Sequence, residues 1–339
     1  MKSKSILFFY NNFTSFVRTD FEILSSVYQV RKFQFKPVKG IFKTGFEIIK
    51  QFIFLVIHIW KYDAVFVWFA DYHSLLPVLF AKILGKKSFV VIGGYEVGRI
   101  KNLKYGALCS KFRGFFCVHS MLLSTINITV SKYVDRKVKH IAPGSKRQLI
   151  HNCVDLVELP DNKIEKENLI LTVGIIENQR SFFIKGIDTY IDVARNMPDY
   201  KFIIVGLNKI KLSGLLTNLP GNLTIYGMVA HDELAGYYTK AMFYCQLSRC
   251  ESFGVSIAEA MLHGCIPIVT NEGGMPEIVG NTDYIVPRET SEICRTINNI
   301  SLSNMPDMQV DVAKRITTCF SKAKRKELLV TLVSDMAFK

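Results

Sequence analysis

The chain has 339 residues, a length that suggests two domains. Hydrophobic residues make up 49% and charged residues 21%, which supplies two buried cores and excludes general disorder. The formal net charge of +14 points to an anionic partner: nucleic acid, an anionic membrane surface or phosphorylated ligands.

In chain order, a lysine-bearing N-terminus leads into Ile6-Leu7-Phe8-Phe9-Tyr10. This apolar run is too short for the core of a signal peptide and reads as a first buried strand. Strands are predicted at Ser5–Tyr10, Val27–Phe33, Ala64–Ala70, Ser88–Ile92, Ile126–Val130 and Val138–Ala142, with segments of helical length between them. Phe42–Trp60 is very apolar yet contains Lys43, Glu47, Lys50 and His58. Its most apolar part is too short to span a bilayer, which takes ~20 apolar residues. It is either a helix packed in the first domain or an interfacial helix that dips into an anionic leaflet. For the second reading, the basic residues around it, Arg31, Lys32, Lys36, Lys39, Lys43, Lys50 and Lys61, favour an anionic leaflet.

The second half repeats the grammar. Strands are predicted at Leu169–Val173, Phe202–Val205, Leu223–Tyr226, Phe243–Leu247, Ile266–Val269 and Tyr284–Val286, and helices at Lys185–Arg195, His231–Lys240 and Ser256–His263. Continuous apolar strands separated by helices indicate parallel sheets covered on both faces. The fold class expected is α/β, with two doubly wound, Rossmann-like domains facing a cleft, where ligands bind beyond the carboxyl ends of the strands. The polar stretch Asn152–Lys166 is the expected join. The divisions are residues 1–152, 153–310 and a C-terminal helical segment, 311–339, that packs back on the first domain. The eight cysteines stand singly, without C-x-x-C or Cys/His metal spacing, so a reduced, cytosolic chain is expected.

The chemistry concentrates in Cys250-Glu251-Ser252-Phe253-Gly254-Val255-Ser256-Ile257-Ala258-Glu259-Ala260-Met261. A strand ends just before this stretch and a helix begins within it. Amides at a helix N-terminus suit a diphosphate or a sugar. Glu251, in the loop, can accept hydrogen bonds from sugar hydroxyls, and Glu259 can reach a second polyol such as a ribose. Taken singly, Glu251 is equally an acid complementing the helix dipole, and Glu259 a solvated helix charge. The small, apolar neighbours of Glu259 argue for burial and hence for a polar partner.

Glu251 and Glu259 with seven residues between them, Phe253-Gly254 inside and Ala260-Met261 after, resemble the signature of retaining glycosyltransferases of family 4. These are glycosyl transferases of group 1 with the GT-B fold. The next strand and loop agree: Gly264-Cys265-Ile266-Pro267-Ile268-Val269-Thr270 and then Gly273-Gly274-Met275-Pro276-Glu277-Ile278-Val279. The resemblance implies that Glu251 contacts the donor sugar and Glu259 the ribose, with the amides at Ser252, Phe253, Gly254 and Val255 near the sugar and diphosphate. It also implies that Arg180 and Lys185, which follow Gly174 and precede Gly186-Ile187-Asp188, grip the donor diphosphate. On their own, these cations are ordinary surface residues of a basic protein. Tyr226-Gly227-Met228-Val229-Ala230-His231-Asp232-Glu233-Leu234 resembles the family's loop whose backbone meets the nucleotide base; a turn before an Asp232-initiated helix is compatible with that. Val130-Ser131-Lys132 and Asn152-Cys153-Val154-Asp155 are weaker matches, the latter with Cys153 where the family has Gly.

The first domain departs further. The strand ending at Ile92 runs into Gly93-Gly94-Tyr95-Glu96, and no His stands there, although relatives often have one. His73, Gly93 and Gly94 are the acceptor-side candidates. Tyr10-Asn11-Asn12 lacks the glycines of the acceptor loop that relatives carry. The expected activity is transfer of a sugar, with retention, from a UDP- or GDP-sugar donor to a hydroxyl acceptor. That acceptor is a glycan or lipid-linked precursor at the inner face of the cell membrane. No metal and no cofactor are implied, because fixed cations take the leaving-group charge. An epimerase of the same architecture and a non-catalytic membrane-bound subunit are the alternatives. Nucleic acid is not expected as a partner, since no aromatic–basic strip or reading module is present.

Overall fold

The computed structural model describes residues 4–38, 40–155, 166–300 and 304–337. Most of the expected join at Asn152–Lys166 therefore lies outside the described residues. The chain divides into two compact units: residues 1–152 with 322–339, and residues 153–321.

The first unit holds β1 (Ser5–Tyr10), β2 (Gln29–Gln34), β3 (Ala64–Trp68), β4 (Lys87–Ile92), β5 (Ile126–Thr129) and β6 (Arg147–Leu149). They form one parallel sheet in the order β2-β1-β3-β4-β5-β6. The central strands are buried and mostly apolar, with all of Ala64–Trp68 apolar, as a parallel sheet covered on both faces requires, while the edge strand β2 carries Arg31 and Lys32. Register places one phenylalanine per central strand side by side, Phe8 against Phe66 and Phe66 against Phe89. The first two rings stack at 5.4 Å and the second pair at 6.4 Å.

The second unit holds β7 (Glu167–Ile176), β8 (Lys201–Leu207), β9 (Leu223–Tyr226), β10 (Ala241–Gln246), β11 (Ile266–Thr270) and β12 (Ile285–Val286). Its parallel order is β12-β11-β10-β7-β8-β9. From β7 the chain adds strands in one direction to β9, then returns to the other side of β7 with β10. The chain leaves β7 toward β8 and β10 toward β11, so the topological switch point, where a parallel α/β sheet places its ligand crevice, lies at the carboxyl ends of these two strands.

One predicted strand is corrected. Val138–Ala142 is not a strand but lies in and just beyond the helix Lys132–Ile141. Ser131 caps that helix by accepting from the Val134 amide at 3.2 Å. Val134, Val138 and Ala142 recur every four residues on the buried side, with Arg136, Lys137 and Lys139 outward, so helical rather than alternating spacing decides the segment. The sixth strand is instead the short edge Arg147–Leu149.

The helix Lys322–Ala337 belongs to the first unit through a buried ion pair. Arg325 donates from Nε to Asp20 Oδ1 at 2.6 Å and from its terminal nitrogen to Oδ2 at 2.7 Å. Trp68 Nε1 donates to the same Oδ2 at 2.9 Å, and Arg325 also reaches the carbonyl of Ile150 at 3.0 Å. All of the carboxylate's partners are thus supplied from inside the unit. Removing it leaves a buried guanidinium without its counter-charge. Asp20→Ala is expected to lower the unfolding free energy by about 3–5 kcal/mol, measured by urea denaturation of the full chain.

Candidate active site

The residues singled out in the second half of the sequence collect at the carboxyl ends of the second unit's strands. Lys185 follows β7 and Glu251 follows β10, on the two sides of the crevice. Their side chains meet: Lys185 Nζ donates to Glu251 Oε2 at 2.7 Å, with 28% and 18% of the side chains exposed. The Lys185 stem runs over Gly174, its Cδ and Cε 3.8 Å from where a Cβ would stand.

Two features of the backbone make that meeting possible. Gly186 has φ +68°, and a Cβ there would stand 1.9 Å from the carbonyl oxygen of Leu247. Only glycine lets the loop after β7 lie this close to the end of β10. Arg249 then ties the loops together. Its amide donates to the Ile184 carbonyl at 2.8 Å, and its guanidinium grips both Asp188 oxygens at 2.8 and 2.5 Å. Asp188 in turn holds the guanidinium above its ordinary pKa.

Glu251 is clamped from the other side by the loop after β11. Gly274 donates its amide to the Glu251 carbonyl at 2.8 Å. Gly273, at φ +70°, brings its Cα so near that a Cβ would stand 1.9 Å from the same oxygen. The glycine pair therefore shapes the backbone that carries the carboxylate.

The carboxylate itself is positioned by a buried amide that the sequence reading missed. Gln246 Nε2 donates to Glu251 Oε2 at 3.1 Å and to Ser248 Oγ at 3.2 Å. Its Oε1 accepts from Tyr244 at 2.9 Å and Ser256 at 3.2 Å. Four partners around one amide leave it no other orientation. A glutamine ending a strand whose other residues are apolar was the available signal.

Glu259, on the helix Val255–Leu262, accepts from Tyr238 Oη at 3.0 Å and lies 3.7 Å from His231 Nε2. Burial pushes its pKa up, opposed by His231 and Tyr238. Of the loop amides, that of Ser252 donates to Glu251's own Oε1 at 3.1 Å. Phe253 is buried with its ring 5.5 Å from that of Phe320, and Gly254 caps the helix that Val255 begins. Gly227 accepts from the Gly206 amide at 3.0 Å, which sets the loop after β9 beside the end of β8. Met228 is exposed there and Val229 half-buried. The helix that follows, His231–Lys240, starts from Ala230, whose amide donates to Glu233 at 2.9 Å. Arg180 stands apart: it is exposed on the short helix Gln179–Ile184 and makes no ion pair or hydrogen bond among the described residues.

The first-unit candidates form a separate group. His73 is buried, its Nε2 2.8 Å from the Trp68 carbonyl, so this ring nitrogen is turned into the fold. Gly93 and Gly94 donate their amides to the Glu96 carboxylate at 3.0 and 2.7 Å, and Ala70 does so at 3.3 Å. Burial raises the Glu96 pKa to about 7 against the pull of its own amide and those of Gly93 and Gly94. Beside them Arg113 pairs with Asp71 and reaches Tyr95 Oη at 3.2 Å. Among the described residues, no three His, Cys, Asp or Glu side chains stand together as a metal site.

Residues 158–316 match the family described as glycosyl transferases group 1. This part of the chain is a glycosyl transferases group 1 domain. Over 242 residues the chain is 25% identical to an uncharacterized 41.2 kDa protein in the cps region of Klebsiella pneumoniae, covering 65% of this chain and 63% of the relative. The match thus spans less than two thirds of that relative's length, and shorter shares of the other curated relatives it matches. Among solved structures, sucrose-phosphate synthase of Thermosynechococcus elongatus superposes with a TM-score of 0.77 at 15% identity, covering 98% of this chain and 99% of that one. HepE of Anabaena, solved in complex with UDP-glucose, gives 0.73 at 14% identity, covering 98% and 100%. At such identities the likeness is one of fold, and it is the GT-B fold.

Gly273→Ala forces a methyl group onto the Glu251 carbonyl. It is expected to cost about 2 kcal/mol of stability. Gly221→Ala, where nothing lies within 4 Å, is expected to change stability by less than about 0.5 kcal/mol. Paired urea titrations measure both.

Proposed function

We propose that the chain is a retaining glycosyltransferase of the family 4 type. It would move a sugar from a nucleoside diphosphate sugar to a hydroxyl of a glycan or lipid-linked acceptor near a membrane. The observation that carries this reading is the Lys185–Glu251 pair at the crevice of a group 1 domain. A cation and a carboxylate fixed side by side match the two ends of the bond to be broken.

In this reading Lys185, with Arg180 swinging in from its exposed helix, neutralises the departing diphosphate. Glu251, held by Gln246, accepts hydrogen bonds from the donor sugar. Glu259 takes the ribose hydroxyls, exchanging its partner His231 or Tyr238 for them. The backbone from Gly227 to Val229 meets the base, and Gly174 with the Ser252–Val255 turn lines the diphosphate and sugar. The anomeric C–O bond to the diphosphate breaks while the acceptor oxygen bonds to the same carbon on the same face. The acceptor proton passes to the diphosphate oxygen that leaves. Positioning and charge supply the rate, so no side-chain nucleophile is required. Gly93 and Gly94 remain the acceptor-side candidates. A uridine diphosphate sugar is the first donor to test, because HepE was solved with UDP-glucose.

A panel of UDP- and GDP-sugars, followed by nucleotide release and by NMR of the product anomer, tests the proposal. Lys185→Ala and Glu251→Gln are each expected to slow release by about 100-fold or more without loss of folding. Near-wild-type turnover in either variant, an inverted product, or an epimerised donor with no transfer would refute it.

A further inference from the structure

The helix Ile41–His58 is apolar on its outer face as well as its inner one, where Phe54 meets the Phe33 ring at 4.6 Å. Its inward stripe is Glu47, Gln51, Leu55 and, just past its end, Ile59. Glu47 accepts from the Lys36 amide at 3.3 Å, and Gln51 Nε2 donates to the His73 carbonyl at 2.8 Å. The outward stripe is Phe42, Phe46, Ile49, Ile53, Ile57 and Trp60, all exposed, with Phe42 at 90% and Trp60 at 65%. A helix whose outer face meets only water has the opposite arrangement.

The apolar face continues onto its neighbours. Phe52 packs edge-on against Phe80 of the helix Leu75–Ile83 at 5.6 Å. Ser74, at the start of that helix, lies with its Oγ 2.6 Å from Ser120 Oγ of the helix Lys111–Leu123. These two helices add exposed Ile83, Phe112, Phe115 and Leu122. An apolar surface shared by three helices marks an interaction site. The charges name the partner. Glu47 is the only carboxylate in the three helices, and it is buried, whereas Lys43, Lys50, Lys61, Lys82 and Lys111 are exposed in or beside them. Bulky aromatics ringed by lysines, with no outward acid in the three helices themselves, match the boundary between acyl chains and anionic headgroups. No helix among the described residues is long and apolar enough to cross a membrane, so the layer lies on the surface.

We propose that this three-helix layer of the first unit docks on an anionic lipid bilayer, with the Phe42–Trp60 stripe and Phe112 and Phe115 entering the headgroup–acyl boundary. The inference gives a location to the membrane-proximal acceptor proposed above. It does not depend on that activity, because lipid binding is measured without donor or acceptor.

The chain carries its own probe. Of its two tryptophans, Trp68 is fully buried and Trp60 lies in the docking stripe. The experiment mixes the full chain with phosphatidylcholine vesicles, with or without phosphatidylglycerol, and follows flotation and tryptophan emission. Flotation and a blue shift quenched by brominated lipid are expected with the anionic vesicles and not with the neutral ones. Phe46→Glu with Phe112→Glu should weaken binding by about tenfold or more. Lys43→Gln and Lys61→Gln should each weaken it by about fivefold. Circular dichroism confirms that the variants fold. Absence of flotation and of any shift with either vesicle would overturn the proposal, as would unchanged binding by the folded Phe46/Phe112 variant. A dimer that ignores vesicles and is dissolved by the same substitutions would assign the face to a second copy of the chain. A chain that floats but turns over no nucleotide sugar would leave this inference standing and remove only the proposed activity.

Discussion

The close approach of the loops after β7 and β10 is the constraint on which the candidate site depends. Gly186 lies against the Leu247 carbonyl, and Arg249 bridges to Asp188 and Ile184. These contacts bring Lys185 and Glu251, 66 positions apart in the chain, to 2.7 Å. The crevice itself follows from strand order, because β10 returns to the side of β7 opposite β8. Parallel connectivity thus provides the opening, and the loop contacts determine which side chains occupy it.

The two units treat their strand ends differently. In the first, the polar groups beyond β3 and β4 satisfy one another: Glu96 collects three loop amides, Arg113 pairs with Asp71, and His73 turns to the Trp68 carbonyl. In the second, Gln246 holds Glu251 toward Lys185, and both side chains retain some exposure. In the function proposed above, a carboxylate locked by a buried amide beside a partly exposed lysine lets the lysine exchange its partner for a diphosphate at little reorganisation cost.

Much of this was legible in the sequence. The all-apolar runs at Ile6–Tyr10 and Ala64–Trp68 identify parallel strands because burial on both faces requires them to be apolar throughout. Val138–Ala142 misled because a five-residue window cannot separate alternation from a helical stripe, and the capping Ser131 lay outside it. The Glu251–Glu277 stretch was readable as a resemblance, but its physical content was not: Gly273 is needed for contact with a backbone oxygen more than twenty residues earlier. Gln246 was overlooked since its role depends on four partners from three different segments. For Phe42–Trp60 the sequence pattern favours burying the stripe richer in apolar residues, and only tertiary packing shows that Glu47, Gln51, Leu55 and Ile59 turn inward instead.

The central claim is that the crevice between β7 and β10 binds the donor diphosphate. Backbone hydrogen exchange in the full chain, with uridine and guanosine diphosphate added in turn, tests it most directly. Slower exchange confined to the Gly174–Gly186 and Glu251–Ser256 segments when the matching nucleotide binds is the predicted result. Binding that instead protects only the first unit's strand ends around Gly93 and Gly94, leaving Glu251–Ser256 unchanged, would contradict it.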